Sequence, residues 1–180
     1  MEIRSTSLDG IKIIKPDVHS DNRGYFKEIF KENEISDTSV GNFSVKQINQ
    51  AFSNQKCIRG LHFQKTPYQQ GKLIWVTLGT ILDIVVDINP KSPNYKKYFT
   101  IELSNKNHLM ILVPKGFAHG YLTLSNSAIV CYGVDELFSE EHDAGINFHD
   151  PDINLKLDYN LSEFYMSSKD KALPFLKDIK

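Results

Sequence analysis

The chain has 180 residues, 41% apolar and 24% charged, a balance that excludes disorder as the main state and suits a single globular domain over residues 1–180. Lys and Arg total 21 against 22 Asp and Glu, and the formal net charge of −1 excludes bulk capture of nucleic acid or anionic membrane while leaving room for a local basic pocket. The two cysteines, Cys57 and Cys131, are too few for a disulfide framework and lack CxxC spacing, so both are expected as buried free thiols in a reducing compartment.

The first residues, Met-Glu-Ile-Arg-Ser-Thr, carry neither the basic nor the apolar block of a signal peptide, and no apolar run reaches membrane-spanning length. The expectation is a cytoplasmic protein with no membrane partner. Asp21-Asn22-Arg23-Gly24 is a turn signal, with Arg23 as an alternative anion clamp because guanidinium grips phosphate through a planar fork. Residues 30–36 suit a short helix, and residues 43–48 suit a strand.

The densest polar cluster is IRGLHFQ, residues 58–64. If it is extended, Arg59, Leu61 and Phe63 face one way and Gly60, His62 and Gln64 the other. A solvated edge strand would also carry Arg and His, but a glycine inside a strand marks a close approach of backbone or ligand. Residues 72–88, KLIWVTLGTILDIVVDI, are rich in β-branched side chains. Gly79-Thr80 suits a tight turn between two adjacent strands, and Pro90 and Pro93 stop the second. Further strands are expected over residues 98–103, 110–113, 121–124 and 128–134. The Pro114-Lys115-Gly116 turn sets His119 at the start of one of them, where it satisfies a local backbone group or meets a ligand. Tyr132 ends an apolar strand, and Ser167-Ser168-Lys169-Asp170 reads as the capped start of a tail helix reaching residue 175. Short strands with turns between them describe an all-β sandwich or barrel with small helices at its edge.

Several chemistries are excluded by what is missing. There is no GxGxxG, GxxxxGK or GxSxG segment, so a nicotinamide cofactor, a Walker-type nucleotide loop and a serine nucleophile elbow are not expected. No HxH or HxE spacing accompanies His62 or His119, and the residue two beyond His62 is Gln64, a poor ligand, so no metal site is expected.

DNRGYFKE, Gln47-Ile48-Asn49, IRGLHFQ, QGKL, DIVVDI with its PxSP sequel, VPKGFAHGY, Tyr132 and SSKD follow one another from Asp21 to Asp170. In this order they resemble the dTDP-4-dehydrorhamnose 3,5-epimerase family of cupin-like sugar-nucleotide epimerases. IRGLHFQ with VPKGFAHG is the specific part of that likeness. The resemblance implies a cupin-type jelly-roll β-barrel with short peripheral helices, a homodimer whose N-terminal strands reach across to the partner, and an enzyme without metal or cofactor. The implied partner is a nucleoside-diphosphate 4-keto-6-deoxyhexose, whose C3 and C5 protons are acidic because both lie alpha to the ketone.

Epimerisation at such carbons needs a base on one face, a stabiliser for the enolate oxygen and a proton donor on the other face. The resemblance implies His62 as base, Asp170 as its orienting carboxylate, Lys72 as the positive charge beside the enolate and Tyr132 as donor. It implies substrate contacts from Arg23 and Arg59 at the diphosphate and nucleotide, from His119 and Lys169 near sugar or phosphates, and from Glu28, Gln47 and Asn49 at base and ribose. Asp143 stands where a glutamate often binds substrate, one methylene shorter. Other departures are His19 for an aromatic residue, Phe138 for a tyrosine, and Asn147-Phe148-His149 for a basic-Trp-Asp run. They leave the four catalytic positions intact and bear on specificity. The alternatives are a C3-only or C5-only epimerase of another nucleoside-diphosphate 4-keto sugar, GDP- or CDP-linked or a heptose, and a sugar-binding cupin without turnover. Retention of His62, Asp170 and Tyr132 speaks against the last.

Overall fold

In the computed structural model, which describes residues 1–36 and 43–179, the short apolar runs become antiparallel strands. In chain order these are β1 (Glu2–Ser5), β2 (Lys12–Lys15), β3 (Val18–Asp21), β4 (Gly24–Lys27), β5 (Gln47–Asn54), β6 (Ile58–Gln64) and β7 (Lys72–Leu78). They continue as β8 (Thr80–Asp87), β9 (Tyr98–Ser104), β10 (Met110–Val113), β11 (Phe117–Thr123), β12 (Ser127–Val134) and β13 (Asp143–Gly145). Two short helices, α1 (Glu32–Ser36) and α2 (Ser168–Lys171), complete the regular structure together with three single-turn 3-10 segments.

One sheet runs β1-β2-β10-β7-β12-β5 and the other β13-β6-β11-β8-β9, while β3 and β4 form a separate hairpin. The tight turn at Gly79 is present, but β7 and β8 are not paired. β7 pairs with β10 and β12, and β8 with β9 and β11, so Gly79 carries the chain from one sheet to the other. Its φ of +77° and the Ser127 carbonyl pressed against it leave no place for a Cβ. A strand–turn–strand pattern in sequence does not say which neighbour each strand takes.

The period-two alternation along the strands sorts side chains between sheet faces. Ile74, Val76, Ile81, Val85, Ile111, Phe117 and Val130 point between the sheets and form the interior core. Leu73, Met110 and Leu112 point outward from the first sheet and are covered by Ile14, Ile35 and Phe43. Phe43 therefore caps the sheet instead of extending it, and β5 begins only at Gln47, later than the expected strand. Ile84, Val86, Ala118 and Leu122 point outward from the second sheet under Ile146, Phe148, Ile153 and Leu176 of the C-terminal segment. Each such side chain fully removed from water contributes roughly 1.5–3 kcal/mol. Within residues 167–175 the tail is helical only over α2, shorter than expected, because Pro174 cannot continue it. Cys131 is buried, whereas Cys57 is only partly so; both are free thiols.

Candidate active site

The site begins with an irregularity in β6. His62 pairs with His119 and Arg59 with Tyr121, so three steps along β6 pass two along β11. This bulge resets the alternation. Ile58 and Leu61 turn outward beneath the tail, and Arg59 and His62 both turn inward to line one cavity. The strict alternation expected for IRGLHFQ, with Arg59 and His62 on opposite faces, is thus overturned. Gly60, at φ +114°, lies so near β11 that an added Cβ would sit 2.6 Å from the Cα of Gly120. What the glycine accommodates is a neighbouring backbone.

The cavity has a volume of about 320 Å³ and opens at one end of the space between the sheets. β5, β7 and β12 supply Asn49, Lys72 and Tyr132 from one wall. β6, β11 and β13 supply Arg59, His62, His119 and Asp143 from the other, and Lys169 reaches in from α2.

His62 Nε2 donates to Asp170 Oδ1 at 2.8 Å. Asp170 is buried, and its other oxygen accepts the Gly60 N–H at 3.3 Å. Ser167 caps α2 as expected, its Oγ accepting the Asp170 N–H at 3.0 Å. Burial raises the Asp170 pKa, but the hydrogen bond and charge of His62, with the Gly60 and Ser167 contacts, more than reverse this and hold it below the ordinary carboxylate range. With the Nε2 hydrogen committed to a carboxylate, the neutral ring keeps its lone pair on Nδ1, which has no protein partner among the described residues.

Lys72 is buried and donates to the His62 carbonyl at 3.3 Å. Burial pulls its pKa down to about 8, against the opposing pull of Asp83 and Asp143. Burial pushes the Tyr132 phenol above its usual pKa, partly countered by Arg59, so it is a protonated donor at neutral pH. Arg59 is pinned by Ser53 Oγ at 2.9 Å and the Phe52 carbonyl at 3.0 Å, and it has no carboxylate partner among the described residues. Lys169 pairs with Asp143 at 2.6 Å, a bond that raises the lysine pKa.

Gln47, Arg23 and Glu28 lie outside this cavity. Gln47 donates to Asn49 Oδ1 at 2.7 Å and accepts the Phe138 N–H at 3.0 Å. Arg23 stands on the β3–β4 turn, 86% exposed and paired with Asp21 at 2.6 Å, beside a second hollow shared with His19, Tyr25 and Phe26. Glu28 pairs with Lys31 at 2.6 Å.

Asp83, not among the residues expected at the site, holds His119 Nε2 at 2.7 Å. Its signal was a lone carboxylate inside the apolar run ILDIVV, since a charge buried there needs a partner. Gln64, Gln70 and Phe138 also line the cavity. Among the described residues no three His, Cys, Asp or Glu side chains converge as a metal site, and no helix is long and apolar enough to cross a membrane.

A family profile described as dTDP-4-dehydrorhamnose 3,5-epimerase matches residues 5–178. The chain is 40% identical to a dTDP-4-dehydrorhamnose 3,5-epimerase of Methanothermobacter thermautotrophicus, over 92% of this chain and 89% of that one. It superposes on the crystal structure of a Legionella pneumophila dTDP-6-deoxy-D-glucose-3,5-epimerase in complex with dTDP-4-keto-L-rhamnose with a TM-score of 0.93 at 33% identity, covering 99% and 94% of the two chains. A Bacillus anthracis dTDP-4-dehydrorhamnose 3,5-epimerase crystallised with TDP and PPi gives 0.90 at 38% identity, covering 97% and 98%. The fold of these relatives is the cupin-type jelly roll, which the two sheets here reproduce.

Proposed function

The chain belongs to the dTDP-4-dehydrorhamnose 3,5-epimerase family, and from that membership we propose how its cavity inverts C3 and C5 of a dTDP-4-keto-6-deoxy sugar. The protein is an isomerase of this class. One observation carries the assignment of roles: an oriented histidine and a protonated phenol enter one cavity from opposite sheets, with a buried ammonium beside the histidine.

His62 Nδ1 takes the proton alpha to the C4 ketone, and the imidazolium that results is stabilised by Asp170. Charge moves to the C4 oxygen, where the Lys72 ammonium stabilises the enolate. C3 and C5 flank the same carbonyl, so one cation serves both inversions. Tyr132 gives its hydroxyl proton to the opposite face of the enolate carbon; after each inversion His62 releases its proton to water and the Tyr132 phenolate takes one from water, so no net proton is consumed.

Arg59, paired with no carboxylate among the described residues, suits the diphosphate, with His119, Lys169 and Asp143 close by and Asn49 further along the wall. Arg23 and Glu28 do not face the cavity of their own chain. The hairpin bearing Arg23 also exposes Tyr25 and Phe26, and β5, a sheet edge, exposes Ile48 and Phe52. These features support a homodimer in which the hairpin segment of one protomer, with Glu28 after it, completes the other's nucleotide site, with Gln47 at its border. Two free thiols suit a cytoplasmic location.

The test is turnover of dTDP-4-keto-6-deoxyglucose in deuterium oxide followed by proton NMR. The reading requires deuterium at both C3 and C5 of a product inverted at both. Label at one carbon alone, or none, overturns it.

A further inference from the structure

We propose that Gln64 is a positioning residue that holds the irregular segment 137–139, and with it Phe138, at the wall of the cavity. The proposal rests on reading that cavity as the epimerase site. Gln64 is buried, and its carboxamide has every group engaged. Nε2 donates to the Tyr68 carbonyl at 2.6 Å and the Leu137 carbonyl at 3.1 Å, while Oε1 accepts the Ser139 N–H at 2.7 Å. Two N–H groups and one carbonyl meet two carbonyls and one N–H, a set of partners that only an uncharged amide satisfies.

The segment belongs to no strand or helix, so sheet ladders do not fix it. Three glutamines, two on strands and one in the loop before β7, hold its main chain and that of the residue before it. Gln47 on β5 accepts the Phe138 N–H at 3.0 Å, Gln64 on β6 holds both flanking groups, and Gln70 donates to the Glu136 carbonyl at 2.8 Å. Phe138, although 56% exposed, lines the cavity beside Asn49 and Tyr132. Gln64 also neighbours Phe63 and His62 on β6, so one side chain sets the spacing between the strand bearing the base and the wall bearing Phe138. Loosening that wall weakens substrate binding without altering the groups that move protons.

Gln64→Met removes all three bonds at similar volume. Gln64→Glu keeps the shape and the acceptor for Ser139 but sets a carboxylate against two carbonyls. Amide hydrogen exchange over residues 136–141 reads the clasp in the unliganded protein, apart from any activity. We expect exchange there to quicken about tenfold or more in both variants. KM for the 4-keto sugar should rise about tenfold, with kcat within about twofold of wild type. In Gln64→Glu the KM ratio to wild type should fall as pH is lowered, because a protonated carboxyl regains one donor. Unchanged exchange in either folded variant overturns the clasp. A fall in kcat at constant KM overturns it too, by placing Gln64 against the reacting atoms. If the wild-type protein does not epimerise the sugar, the exchange result still decides the clasp, and only the reading of the cavity fails.

Discussion

His62 and His119 sit opposite one another on β6 and β11, and each has its Nε2 on a carboxylate, at 2.8 Å and 2.7 Å. Their surroundings differ. The His62 side chain is 35% exposed, and its carboxylate comes from α2 near the far end of the chain, held there by the Gly60 N–H and the helix cap. The His119 side chain is 9% exposed, its Asp83 on the adjacent β8 is fully buried, and Asp83 Oδ1 has no hydrogen-bond partner among the described residues. The same pair of groups therefore sits in two settings. A histidine with an open Nδ1 and a fixed carboxylate has what a base needs, whereas the buried pair holds its ring rigid in the cavity wall.

The largest expected effect separates the two histidines directly. His62→Ala should slow deuterium entry at C3 and C5 by about 10³-fold, within the usual 10²–10⁴ of a general base, while His119→Ala leaves exchange at saturating substrate within about tenfold and acts on KM. Equal losses in kcat would dissolve the distinction. Asp170→Asn comes next. It keeps the shape but removes the charge that stabilises the imidazolium, and a loss of about 10²-fold in kcat is expected, the low end of what a positioned general base supplies.

The smallest effect is a matter of pH. Lys72, with its pKa pulled down to about 8, is the ammonium below that value and neutral above it. The cation is what the enolate needs, so kcat should fall as pH rises through about 8, and Lys72→Met should abolish that alkaline limb in the activity that remains. An unchanged limb in the variant would assign it to another group.

How much of this was legible in the chain differs by feature. β-branched runs announced β7 to β12 because a pleated, half-buried surface favours such side chains. Of the short N-terminal strands, β1, β3 and β4 carry at most one β-branched residue each, and the Ile13-Ile14 pair of β2 is too short a run to announce a strand. That His62, Lys72, Tyr132 and Asp170 come together was expected only from the order of the family-like segments, since nothing local to SSKD says that Asp170 meets a histidine 108 positions earlier. The bulge was not legible, because it depends on Gly60 meeting Gly120 across two strands. Nor was the role of Gln64, which ties Tyr68, four positions on, to Leu137 and Ser139, 73 and 75 positions on. Asp83 was visible as an anomaly in an apolar strand but could not be paired without the register between β8 and β11.

The central claim is that base and donor act from opposite walls, and Tyr132→Phe tests it most directly. The substitution leaves His62 and Asp170 in place and removes only the hydroxyl from the β12 side. With dTDP-4-keto-6-deoxyglucose in deuterium oxide, the variant should still exchange the protons alpha to the ketone, returning label with retained configuration from the His62 face, while inverted product falls by about 10²-fold. Inverted, doubly labelled product at the wild-type rate would contradict the account.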